Sequence, residues 1–103
     1  MRAVYHPEFK ATFDVAIRHY QEIGLPLTDR FKAEVKAGVK VVLSGIVNHA
    51  PGPHGFRCFR CKKFPYLVYY EWTEATVLFL AVLYVGRAPG LLSETLARYR
   101  DER

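Results

Sequence analysis

The sequence predicts an α+β domain: a short N-terminal strand and a helical hairpin packed on a three- to four-stranded antiparallel sheet, with a short C-terminal helix. Three observations carry this. In the first half, apolar residues recur at intervals of three and four, the period of a helix face. In the second half, three strand-like stretches follow one another with short breaks between residues 56 and 85. No repeat, low-complexity tract or long linker divides the chain, so residues 1–103 read as one domain.

Residues 2–6 contain Val4 and Tyr5 and stop at Pro7, which marks a brief opening strand. Pro7 then suits the first turn of a helix, where its missing N–H costs nothing. Phe9, Phe13, Ala16, Ile17 and Tyr20 form one apolar stripe, and the helix is expected to end near Gly24, before Pro26. Thr28 is the expected N-cap of a second helix, reached through the link Leu25-Pro26-Leu27. Its stripe is Phe31, Val35, Gly38, Val39, Val42 and Ile46, with Lys32, Glu34, Lys36 and Lys40 mainly opposite.

Two prolines and two glycines in residues 48–55 end the helical pattern. In residues 56–63, Phe59 and Cys61 alternate with Cys58, Arg60 and Lys62, giving one apolar and one basic face. Pro65 cannot donate to a ladder, so a tight connection is expected at Lys63-Phe64-Pro65. Residues 66–72 form the next strand and 73–76 a turn. Residues 77–85 are apolar on both faces, as in a central strand covered from both sides. After a break at 86–90, residues 91–100 suit a terminal helix with Leu92, Leu96 and Tyr99 on one side, ending in a charged tail.

Half the residues are hydrophobic and 15% aromatic, which excludes a disordered chain. The formal net charge of +5 suits an anionic partner, and equally a small protein charged for solubility. The N-terminus has no apolar run resembling a signal peptide, and the longest apolar run is about half of the roughly 20 residues a membrane-spanning helix needs. A cytoplasmic location without a membrane anchor is expected.

Cys58 and Cys61 have the C-x-x-C spacing, yet residues three apart on a strand point to opposite faces and cannot share a metal or a bridge. His6, His19, His49 and His54 are scattered and supply no second ligand pair. No metal and no cofactor is expected. Arg57, Arg60, Lys62 and Lys63 occur with no acidic residue between Phe56 and Phe64. Such a cluster either binds an acidic partner or target, or simply guards an edge strand against aggregation. Tyr66, Tyr69, Tyr70 and Trp72 suit a core more than a stacking platform for bases.

The hairpin, the basic strand, the run Phe64-Pro65-Tyr66-Leu67-Val68-Tyr69-Tyr70 and the apolar strand Leu80-Ala81-Val82-Leu83 ending in Arg87-Ala88-Pro89 together resemble the RelE/ParE superfamily of type II toxin–antitoxin systems. Tyr5-His6-Pro7-Glu8-Phe9 and the segment Arg30 to Val35 fit that pattern too, so the resemblance spans about residues 2–90. It implies a small bacterial growth-inhibiting toxin of the plasmid-stabilisation kind, neutralised by a cognate antitoxin. RelE-like members cleave mRNA in the ribosomal A site, whereas ParE-like members poison DNA gyrase.

Cleavage of the RelE type uses the ribose 2′-hydroxyl and needs cations that hold phosphate and stabilise transition-state charge. Arg60 and Lys62 fill the first such position, and Arg87 a position at the end of the last strand. Leu67 stands where RelE-like nucleases place an arginine, and Tyr84 where a related pattern has histidine. A tyrosine with an ordinary pKa of about 10 needs strong tuning to move protons near neutrality. The nuclease set is thus incomplete, and the pattern favours a ParE-like toxin that acts by binding, with DNA gyrase the leading target. The alternative is a ribosome-dependent mRNA endoribonuclease using Arg60, Lys62, Tyr84 and Arg87. A member that retains only antitoxin binding is a third possibility.

In either case Arg57 and Lys63 extend the target-binding surface. Arg87 either faces the target or pairs with Glu71 or Glu94. The expected antitoxin surface is the second-helix stripe at Phe31, Val35 and Val39, together with Leu92 and Leu96 of the terminal segment.

Overall fold

The computed structural model describes residues 1–45, 49–52, 55–86, 94, 96–98, 100 and 101. Its elements are β1 (Arg2–Tyr5), α1 (Pro7–Gln21), α2 (Leu25–Ser44), β2 (Arg57–Arg60), β3 (Tyr66–Thr73) and β4 (Thr76–Tyr84). Glu94, Leu96 to Arg98, Arg100 and Asp101 are helical, where the C-terminal helix was expected.

The α+β architecture follows the sequence pattern, with one refinement in the sheet. The four strands lie in the order β1-β4-β3-β2. β2, β3 and β4 form an antiparallel meander, but β1 pairs with β4 in parallel, from Arg2 opposite Thr76 to Tyr5 opposite Phe79. The sheet is therefore mixed. Local pattern defines hairpin partners, while the direction of β1 depends on a strand some seventy residues away and leaves no local trace.

α1 begins at Pro7, with the His6 ring as its cap: the Glu8 N–H donates to His6 Nδ1 at 3.0 Å. α2 starts four residues earlier than expected. Gly24 is its N-cap, Pro26 fits its first turn, and Thr28 lies inside the helix with its hydroxyl donating to the Gly24 carbonyl at 2.9 Å. Leu25-Pro26-Leu27 is thus helical, and only residues 22–24 separate α1 from α2. α2 ends at Gly45, whose φ of 76° is the left-handed geometry favoured by glycine.

β4 is buried along most of its length, and its two faces meet two separate clusters. Val77, Phe79 and Val82 point to the side carrying α1 and α2, where they join Phe9, Tyr20, Phe31 and Val35. Leu80, Ala81 and Leu83 point the other way, where Phe56, Tyr69 and Leu96 cover them. A register shift at Tyr69/Tyr70 makes this possible, since the extra residue sets Leu80 and Ala81 on the same side. α1 is fastened to β4 by a side chain: the Val82 N–H, pointing beyond the end of β1, donates to the Thr12 hydroxyl at 2.9 Å.

Gly38 explains the approach of α2 to β2. A β-carbon there would collide with the Phe59 ring, which lies against the bare helix backbone. Replacing glycine by alanine inside a helix ordinarily gains about 1 kcal/mol. Gly38→Ala is instead expected to destabilise by about 1–3 kcal/mol in urea unfolding, through overpacking. The penalty should vanish in a Phe59→Ala background, as a double-mutant cycle would read. Thr12→Val should cost about 1–3 kcal/mol by leaving the Val82 N–H unsatisfied.

Candidate functional site

The basic cluster lies on β2, an edge strand, and on the turn that follows it. Arg60, Lys62 and Lys63 are exposed, in keeping with the alternation that buries Phe59 and Cys61. Arg57 is half-buried. Its guanidinium sits 5.1 Å from the centre of the Trp72 ring and donates to the His49 carbonyl, so this cation braces the loop before β2.

A carboxylate holds the turn in place. Glu34 Oε1, on α2, accepts the backbone N–H groups of Lys62 at 2.6 Å and Lys63 at 3.2 Å. Strand pattern alone contains no hint of this contact, although an isolated acid among the lysines of α2 is a signal in retrospect. Beside it runs a cleft of about 380 Å³ between α2 and the outer edge of β2, lined by Glu34, Ala37, Gly38, Val41, His49, Phe59, Arg60, Cys61 and Lys62. His49 is also oriented from below, with Nδ1 2.6 Å from the hydroxyl of the fully buried Tyr70. Burial pushes the Tyr70 hydroxyl above its ordinary range, against the opposing pull of the His49 contact and the Arg57 charge.

Tyr84 stands elsewhere. It lines a smaller cleft of about 260 Å³ with Glu8, Thr12, Tyr66 and Val82, on the side of the sheet that carries the helices. Its ring lies 5.7 Å from that of Tyr66 and folds over Gly86. Arg60 pairs with Leu67 of the neighbouring β3 and borders the cleft between α2 and β2, where Lys62 lies as well. Arg60 and Lys62 are therefore brought together at one cleft and Tyr84 is not. Burial raises the pKa of Tyr66, and the nearby Tyr84 adds to the shift, so the phenol next to Tyr84 is held further from proton transfer near neutrality. Arg87 and Leu92 lie outside the described residues. The carboxylate of Glu71, one expected partner of Arg87, is paired with Arg100 at 3.3 Å.

The stripe on α2 belongs first to the chain's own core. Phe31 is fully buried among Phe13, Tyr20, Phe64 and Tyr66. Val35 and Val39 are also buried, but they form the floor of an open groove of about 440 Å³ between α1 and α2, walled by Tyr5, Phe9, Phe13, Lys36, Lys40 and Leu43. Leu96 is fully buried on the opposite face of the sheet, against Phe56, Tyr69 and Leu80. Tyr69 and Tyr70 are core residues as well.

A solved structure of the chromosomal ParDE TA system from P. aeruginosa has a similar fold, with a TM-score of 0.71 and 17% identity. The match covers 82% of this chain and 96% of that one. The fold is ParE-like. No family model matches the sequence, and no curated protein matches it. At this identity the likeness resides in the ParE-like architecture, meaning the hairpin, the mixed sheet and their order.

Among the described residues, no helix is long and apolar enough to cross a membrane, and no group of three or more His, Cys, Asp or Glu side chains is placed to hold a metal ion. The two cysteines pack in different clusters on opposite faces of the ParE-like sheet. Burial, with Glu34 adding to it and Arg60 opposing, lifts the Cys61 thiol from 9.0 to about 11. A thiol raised in the folded state stabilises fully below its unfolded pKa and loses that contribution as pH climbs to the folded value. Urea midpoints are therefore expected to fall as pH rises from 9.0 towards about 11, and Cys61→Ala should flatten that part of the profile. Thiol-reagent kinetics across the same range should show Cys61 unreactive until its upper end.

Proposed function

We propose that this chain is the toxin of a type II toxin–antitoxin pair, that it stops growth by binding a macromolecular target, and that DNA gyrase is that target. A cognate antitoxin keeps it neutralised. The observation that carries the proposal is the match of 82% of the chain to a ParDE structure, combined with exposed cations at the sheet edge. A gyrase target requires action in the cytoplasm.

Arg60, Lys62 and Lys63 form the target-facing cations, with Arg57 as their internal brace. The antitoxin occupies the groove floored by Val35 and Val39, where an apolar face seats between Tyr5 and Leu43 and acidic groups meet Lys36 and Lys40. Phe31 supports that floor from beneath.

The second reading, ribosome-dependent mRNA cleavage, draws on Arg60 and Lys62 lining one cleft as phosphate-binding cations would. The separation of Tyr84 from that pair supports binding over catalysis.

Purified chain should inhibit DNA supercoiling by gyrase and leave mRNA intact on programmed ribosomes; cleavage without inhibition would reverse the assignment. Arg60→Ala with Lys62→Ala should raise the half-inhibitory concentration by about tenfold or more, the loss expected for a charge-assisted contact. Urea unfolding should change little, since both side chains are exposed.

A further inference from the structure

We propose that the free outer edge of β2 accepts an extended acidic segment of the partner protein as a fifth strand of the sheet. The inference rests on the partner reading above and adds a second contact at a different place. It starts from the ladder. The Cys61 N–H donates to the Tyr66 carbonyl at 3.0 Å, so residues 61, 59 and 57 turn their backbone groups towards β3. Cys58 and Arg60 consequently turn theirs outward. β2 has β3 as its neighbour on one side and no strand on the other. Among the described residues, no backbone bond reaches the outward N–H or C=O of Cys58 or Arg60.

An exposed strand edge is a template for another strand unless something blocks it. β2 is short and its surroundings are cationic, guards that repel a like-charged strand and attract an acidic one. Ala37, Gly38 and Val41 of α2 line the far wall of the 380 Å³ cleft that opens beside the edge. Val41, Phe59 and Cys61 give the cleft an apolar lining, which alternate side chains of an added strand would enter. Glu34 closes one end by holding the Lys62 and Lys63 N–H groups, so the added ladder stops at Arg60.

Charge selects the occupant. Arg60, Lys62 and Lys63 surround the edge with exposed cations, so a segment carrying Asp or Glu at the positions facing outward is complementary. A second copy of this chain would bring the same cations against them and is disfavoured.

The test uses the whole chain and two probes. The first is a synthetic eight-residue peptide alternating Glu and Val, capped at both ends; the second is the protein encoded next to this chain. Amide hydrogen exchange resolved at Cys58 and Arg60 is the readout. The peptide should slow exchange at both amides, and a version N-methylated at alternate residues should not. Arg60→Pro, which removes an outward N–H that an edge strand can spare, should abolish protection with the thermal midpoint retained. Arg60→Ala and Lys62→Glu should weaken peptide binding by about two- to fivefold each, as for exposed charge pairs. Unchanged exchange at Cys58 and Arg60 with saturating peptide, equal protection by the N-methylated peptide, or protection by a single-stranded oligonucleotide in place of the peptide would overturn the proposal. A complex with the neighbouring gene product that leaves both amides unprotected sinks this inference and spares the partner reading. Protection by the peptide without any such complex supports the edge site and counts against the partner reading.

Discussion

A strand that is apolar on both faces can exist in water only if both faces are covered, and β4 imposes that demand on everything around it. Val77, Phe79 and Val82 require α1 and α2 on one side; Leu80, Ala81 and Leu83 require Phe56 and the segment bearing Leu96 on the other. β1 and β3 then occupy its two edges, and β2 is pushed to the rim of the sheet. The cationic surface is thus a result of packing as much as of sequence: the strand with the charges is one of the two left with an open side.

Much of this was legible in the chain. The helical stripes, the alternation that exposes Arg60 and Lys62 while burying Phe59 and Cys61, and the two-faced character of β4 are properties of neighbouring residues, and local pattern reports them well. The opposed faces of Cys58 and Cys61 follow from the same alternation. The misplaced start of α2 has an equally local cause: Thr28 and Pro26 both read as boundary residues, but a first-turn proline is compatible with a helix and a threonine hydroxyl can return to the carbonyl four residues back.

What could not be read are contacts between distant residues. The parallel pairing of β1, the Glu34 clamp on the Lys62–Lys63 turn, the Thr12 hydroxyl on the Val82 N–H and the His49–Tyr70 contact each join segments from 21 to about 75 residues apart. The candidate site suffered most from this. Tyr84 and Arg60 look like neighbours in a list of basic and titratable groups, yet they border separate clefts, one against α1 and the other between α2 and the outer edge of β2. Phe31 looks like a surface anchor on a helical wheel, but α1, the β2–β3 turn and the start of β3 close over it.

The parallel seam between β1 and β4 has a bearing on how such a chain is made. Residues 2–5 are among the first to be synthesised and their partners, residues 76–79, come after about three quarters of the protein. Until then the opening strand has nothing to lie against, and the hairpin has no surface on which to settle. Domains dominated by such distant pairings assemble late and slowly. A ribosome that stalls or terminates early releases a fragment without the middle of its sheet, so neither cationic rim nor apolar groove exists before translation is nearly complete.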